Sequence, residues 1–244
     1  MTESQARLPV TQHQKPGNIP WMNSTAITRR RVLLAAALTA FARRTVAQSR
    51  AALVEAAGRG DVAQVQALLH AGADIEQRDA NGRTAVLAAT AGNHVAVVRA
   101  LIARGADVNA QDDQRDSAFL LAGARGYTEI VRATLAGGAD LKSTNRYGGT
   151  ALIPACHYGH VDTVRLLLTS PIDVNHVNNL GWTALLEAII LGDGGPAHVE
   201  IVRMLVAHNA DVRLPDRTGV TPLAHARRRG QRVVEDILLR AGAG

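Results

Sequence analysis

The chain has 244 residues, with 27 Lys and Arg against 21 Asp and Glu, a formal charge of +6. Residues 1–47 hold seven of the basic residues and one acid, Glu3, so from Gln48 onward bases and acids balance at 20 each. That balance removes the basic footprint of a general DNA or RNA binder. Aromatic residues make up 3% of the chain and apolar residues 47%, which points to thin layers of closely stacked helices built from Ala, Leu, Val and Ile. The single cysteine, Cys156, excludes an intramolecular disulfide and a cysteine-based zinc site.

Residues 1–27 are polar, carry Pro16, Gly17 and Pro20, and show no apolar period, the composition of a disordered lead. Thr28-Arg29-Arg30-Arg31 then meets an apolar stretch of eleven residues, Val32–Ala42. At 1.5 Å per residue this is too short to cross about 30 Å of hydrocarbon. A basic lead, a short apolar core and small residues before Gln48 fit an export signal that is removed. The paired Arg29 and Arg30 resemble the twin-arginine signal of bacteria, and Arg43 and Arg44 behind the apolar core agree with that route. Met22 lies seven residues before Arg29 and is an alternative start. The division expected is 1–47 as lead and signal, with cleavage near Ala47, and 48–244 as the folded domain.

The rest of the chain repeats. Asp74, Asp107, Asp140, Asp173 and Asp211 are separated by 33, 33, 33 and 38 residues, and Thr84, Ser117, Thr150, Thr183 and Thr221 follow the same intervals. Two ladders sharing one irregularity mark a repeat unit. Gly82-Arg83-Thr84-Ala85, Gly149-Thr150-Ala151-Leu152, Gly181-Trp182-Thr183-Ala184-Leu185 and Gly219-Val220-Thr221-Pro222-Leu223 each lead into an Ala-rich segment. The pattern resembles the ankyrin repeat, whose unit runs from a turn through Thr-Pro-Leu-His and two alanines to Gly-Ala-Asp. The resemblance implies an all-α repeat solenoid of about six helix-turn-helix units joined by hairpin-like loops: 49–78, 79–111, 112–144, 145–177, 178–215 and 216–244.

In physical terms, each Thr or Ser is expected to cap a helix through its side-chain oxygen. Ala89, Ala122, Ala155 and Ala188 let inner helices approach closely. Gly60, Gly126, Gly159 and Gly230, with Asn93 as the tolerated substitute, are expected to end those helices in the left-handed region. A second apolar helix follows, as in Val97–Ile102, and no unit buries its own face, so the units stack. Two departures stand out. Leu87, Leu120, Ile153, Leu186 and Ala224 replace the family histidine, so apolar contacts must hold that row. Residues 192–197 insert into the fifth repeat and are expected to sit at the surface, so that deleting 194–197 leaves folding largely intact.

No Ser-His-Asp set, phosphate loop or dinucleotide fingerprint occurs. His157 and His160 are interrupted by Gly159, so a metal site is not expected, and no cofactor is called for. Cys156 reads as a buried small residue. Arg227, Arg228, Arg229 and Arg232 read as a polar end face.

Surface chemistry remains. The resemblance implies that a partner protein is held by loop tips and inner helices along a concave groove. The tip positions are Ala80, Asn81 and Arg83; Asp113, Gln114 and Asp116; Arg146, Tyr147 and Gly149; Asn179, Leu180 and Trp182; and Arg217, Thr218 and Val220. Arg125, His157, Tyr158 and Glu187 are the inner-helix positions. Tyr147, Tyr158 and Trp182 are three of the five aromatics beyond the signal, and aromatic and arginine side chains dominate binding hot spots. The expected binding set is therefore Arg146, Tyr147, His157, Tyr158, Asn179, Leu180, Trp182, Glu187 and Arg217. The expected protein is a monomeric, non-enzymatic binding array in the bacterial periplasm, off nucleic acid and off the membrane once the signal is gone. The alternatives are a cytoplasmic adaptor or an effector acting on a host protein, and, further off, an enzyme with a site at the insertion.

Overall fold

The computed structural model describes residues 52–244; the signal motif with Arg29 and Arg30 and the boundary at residue 47 lie outside them. The described chain forms twelve helices in six consecutive pairs. The inner helices are α1 (52–58), α3 (Ala85–Ala91), α5 (Ala118–Arg125), α7 (Leu152–His157), α9 (Ala184–Ile190) and α11 (Pro222–Arg228). The outer helices are α2 (Val62–His70), α4 (Val95–Ile102), α6 (Thr128–Ala136), α8 (Val161–Leu167), α10 (Pro196–Ala207) and α12 (Arg232–Arg240). From α3 onward inner helices pack on neighbouring inner helices, outer helices pack on outer from α2 onward, and each pair from α3 and α4 to α11 and α12 is also packed internally. The result is the repeat solenoid that the two ladders call for.

Helices this short do not stand alone in water; burial between units holds them. Leu53, Val86, Leu101, Ile130, Leu152, Leu167, Leu185, Ile189, Ile201 and Leu205 are buried in one continuous apolar core. Leu87, Leu120, Ile153 and Leu186 are buried as well, so apolar packing does occupy the row that holds histidine in the family pattern. Gly60, Gly126, Gly159 and Gly230 have φ of 76°, 70°, 74° and 66°, with Asn93 at 55°, which places the inner-helix ends in the left-handed region.

Three of the five expected caps form. Ser117, Thr183 and Thr221 accept from the amides of Leu120, Leu186 and Ala224 at 3.3, 3.2 and 3.3 Å. Thr84 and Thr150 do not: both hydroxyls are buried without a hydrogen-bond partner. At Thr150 the cause is Pro154, which has no N–H for the carbonyl four residues back. The Ile153 amide bonds to that carbonyl instead, at 3.3 Å, and the helix starts one residue late. Nothing in the structure explains the Thr84 hydroxyl.

The hairpin-like loops are turns. Among the described residues the only bridge is an isolated antiparallel one between Arg78 and Thr84. Each tip is organised by its first residue: Oδ1 of Asp79, Asp112, Asn145, Asn178 and Asp216 accepts the amides two and four residues on, at 2.8 to 3.1 Å. Neighbouring units are also stitched by side chains from the start of the outer helices. His94 and His160 meet the carbonyls of Gly58 and Ala124 at 3.0 and 3.2 Å, and Gln231 Nε2 donates to the carbonyl of Ile189 at 3.1 Å.

The insertion is more than a surface loop. Pro196 and Ala197 open α10, Pro196 at the start where its missing N–H costs nothing. Gly192 is buried, and a Cβ there would overlap the Ala188 carbonyl oxygen and the His198 ring. His198 is buried, with Nδ1 at 2.8 Å from Asp193 Oδ1 and Nε2 at 2.9 Å from the His157 carbonyl. Beyond crossing the surface, the inserted residues therefore also hold His198, the side chain that ties the fifth repeat to the fourth. The basic end face is likewise only partly free: Arg227 pairs with Glu235 at 2.7 Å, and Arg229 Nη2 donates to the Gly192 carbonyl at 3.0 Å.

Candidate functional site

An open groove of about 880 Å³ runs across the inner face of the third, fourth and fifth repeats. Its walls are the tips 145–149 and 178–180, and its floor is drawn from α5, α7 and α9. The tips are braced locally. Asn145 Oδ1 holds the amides of Tyr147 and Gly149, and Asn178 Oδ1 holds those of Leu180 and Trp182. Gly148 and Gly181 supply the positive φ, 73° and 84°, that each turn requires. The Asn179 amide donates to the Tyr147 carbonyl at 2.9 Å, joining the two tips.

These turns and the ends of α7 and α9 leave large side chains in solvent. Tyr147, Tyr158, Leu180 and Leu191 are 55%, 60%, 51% and 41% exposed, and all four line the groove. The Arg146 guanidinium lies 4.8 Å from the centroid of the Tyr147 ring and 3.8 Å from Asp116 Oδ2. Burial raises the Asp116 carboxyl above the ordinary range and the Asp112 charge adds to it, with Arg146 and Arg83 opposing. Tyr158 stacks on His157, with ring centroids 4.2 Å apart and planes at 11°.

Glu187 forms the acidic floor. Its side chain is 8% exposed; Oε1 accepts from Asn178 Nδ2 at 2.9 Å, and Oε2 lies 3.5 Å from His157 Nδ1. Burial pushes its carboxyl up to about 7, partly countered by the Asn178 hydrogen bond. His157 moves the other way, its pKa lowered first by burial and then by the charge of His198. Cys156 is fully buried next to this pair, and its thiol is raised by burial and by Glu187. A thiol held in its neutral form is no nucleophile. Among the described residues no three His, Cys, Asp or Glu side chains converge as a metal site.

Of the expected binding set, the groove brings together Arg146, Tyr147, His157, Tyr158, Leu180 and Glu187, along with Arg125 and Asp116. Trp182, Asn179 and Arg217 are not part of its lining. Trp182 is half-buried beside its turn, and Arg217 Nη2 donates to the Asn179 carbonyl at 2.7 Å. Sequence reasoning passed over Asn178 and Leu191. Asn178 had a signal: it stands fourth in a row of Asp79, Asp112, Asn145, Asn178 and Asp216 that keeps the same intervals. Leu191 had none, because its exposure follows from where α9 stops.

Comparison with known proteins gives a consistent result. A family model described as ankyrin repeats in three copies matches residues 33–112, 53–145, 119–216 and 173–243. The crystal structure of an ankyrin repeat domain from Acinetobacter baumannii AYE is 53% identical, with a TM-score of 0.77 over 79% of this chain and 98% of that one. The crystal structure of the ankyrin repeat protein EF0377 is 38% identical, with a TM-score of 0.75 over 78% of this chain and 96% of that one. The curated protein YahD of Escherichia coli (strain K12) is 46% identical over 57 residues, 23% of this chain; the match spans 28% of YahD.

Proposed function

Because the chain belongs to the ankyrin repeat family, whose repeats are protein-interaction modules, we propose that it is a non-catalytic array that holds a partner protein in the groove of its third to fifth repeats. One observation carries this reading. Tyr147, Tyr158, Leu180 and Leu191 stand in water on one concave face, where none serves the array's own core. Tyr147 and Tyr158 are the anchors of this reading, Arg146 and Arg125 its polar rim, and Trp182 and Arg217 support the tips.

The place of action in this proposal is the bacterial periplasm, reached through the Arg29-Arg30 signal, with the array acting there as a monomer. The support is the sequence of residues 28–47: paired arginines, a short apolar core and small residues before Gln48. A twin-arginine route carries folded cargo, which suits a stacked array.

Two experiments test the proposal. Replacing Arg29 and Arg30 by Lys should retain the precursor in the cytoplasm; undiminished export, or a periplasmic protein with an intact N-terminus, defeats the export reading. Tyr147→Ala with Tyr158→Ala should weaken capture of a periplasmic partner at least about thirtyfold, near 2 kcal/mol. If capture survives that pair and Arg165→Ala on α8 abolishes it, the partner binds the outer helices instead.

A further inference from the structure

Glu187 is the buried acid of its row. The corresponding positions on the other inner helices are Glu55, Ala88, Leu121, Pro154 and His225, and Glu55, the other acid, is exposed beside Arg59. A buried carboxylate is costly unless its oxygens are hydrogen-bonded and its charge is met. The sixth repeat shows a complete version: His225 Nε2 lies 2.8 Å from Asp216 Oδ2, while Oδ1 takes the Thr218 hydroxyl and the amides of Thr218 and Val220. The fifth repeat is incomplete. Glu187 Oε1 has the Asn178 amide, but Oε2 has only the His157 ring at 3.5 Å, and it makes no hydrogen bond. His157 is pushed toward its neutral form, so it supplies no lasting positive charge.

The charges around the groove are unevenly placed. Arg125 and Arg146 stand on the third- and fourth-repeat side, where Asp116 is already met by Arg146. The fifth-repeat end offers an acid with no cation. Tyr158, Leu180 and Leu191 line the same groove and are exposed.

We propose that Glu187 is the specificity residue of this groove, receiving a cationic side chain, arginine or lysine, from an extended segment of the partner protein. The inference rests on the protein-binding reading above. A long basic side chain suits the position: its aliphatic stem can lie along leucine and tyrosine while its head reaches the carboxylate. The incoming donor supplies Oε2 with its missing hydrogen bond, and the cation favours the ionised carboxylate. A neutral or acidic side chain at that point would leave the buried acid unpaired, so the groove discriminates against it.

The test uses the full chain and a phage-displayed library of random linear peptides, with Glu187→Gln and Tyr158→Ala as comparison proteins. Peptides retained by the wild type and lost by Tyr158→Ala should share one Lys or Arg. Changing that residue to Ala, or testing the peptide on Glu187→Gln, should weaken binding at least tenfold, with Glu187→Leu behaving as Glu187→Gln does. Peptides that need Tyr158 but bind Glu187→Gln as tightly as wild type overturn this inference and leave the groove reading standing. Peptides indifferent to both residues overturn both readings. A library that yields no Glu187-dependent peptide also overturns the inference.

Discussion

Pro154 follows Thr150 by four residues and cannot donate to its carbonyl, so the Ile153 amide turns to that carbonyl and the Thr150 hydroxyl stays buried and unbonded. The same position in the third repeat is a working cap, with the Ser117 hydroxyl accepting from Leu120 at 3.3 Å. One ladder therefore contains residues of opposite energetic sign. Thr150→Val keeps the shape and deletes an unsatisfied polar atom, so it should be neutral or stabilising by up to about 1 kcal/mol. Ser117→Ala should cost about 1 kcal/mol. Urea melts of the two variants check this, and a loss at Thr150 as large as at Ser117 would contradict it.

Glu187 makes stability depend on pH. Its folded pKa, about 7, is raised above the ordinary glutamate value near 4.5. Below the lower value both folded and unfolded chains carry the proton. As pH rises from about 4.5 to 7 the unfolded chain ionises first, so the array loses stability across that window and levels off above it. Glu187→Gln should remove this loss, on the order of 2 kcal/mol after allowing for solvent at the groove. The lowered pKa of His157 acts in the opposite sense on acidification, so the informative quantity is the difference between wild type and variant at pH 5 and pH 8. A difference that does not change with pH would refute the assignment.

His198 connects the insertion to the fourth repeat. Its buried ring bridges Asp193 Oδ1 and the His157 carbonyl, and His198→Ala would leave a cavity and an unbonded carbonyl. A cost of about 2–3 kcal/mol follows. Asp193→Ala, at an exposed carboxylate, should cost less. Deleting residues 194–197 removes the cap and the first two residues of α10 and should destabilise the array about as much as His198→Ala. Thermal melts distinguish the cases, and a deletion with an unchanged midpoint would restore the surface-loop description.

Gly123 sets how closely α5 and α7 approach. A Cβ on Gly123 would come 2.8 Å from the Ala151 Cβ and 2.9 Å from the Ala151 carbonyl oxygen, so backbone must move. Gly123→Ala should therefore cost about 1–3 kcal/mol despite the better helix propensity of alanine. Leu101→Ala and Leu167→Ala, both in the buried core, should cost about 2–4 kcal/mol. Arg227→Ala, at an exposed ion pair, should stay within about 0.5 kcal/mol. Equal small effects at all four sites would mean that the packing register is wrong.

The sequence alone determined the repeat, its length, its six units, the glycine-ended inner helices and the apolar row that replaces histidine. These are legible because each unit repeats one local pattern, and a periodic requirement leaves a periodic trace. Tyr147, Leu180 and Glu187 were also legible as inward-facing, since tip and inner-helix positions recur at fixed offsets. Only the tertiary structure decided what one unit does to the next. Thr150 loses its capping role to a proline one turn away, and Trp182 stays half-buried beside its turn while Leu191 emerges where α9 ends. The insertion looks like a loop in one dimension because its composition is Gly and Pro. It becomes a clasp because Asp193 and the His157 carbonyl, 36 residues apart in sequence, meet on the two nitrogens of one ring. Oε2 of Glu187, which meets only the His157 ring at 3.5 Å, is of the same kind: whether a carboxylate is satisfied depends on which neighbours the stacking brings to it, and no spacing along the chain records that.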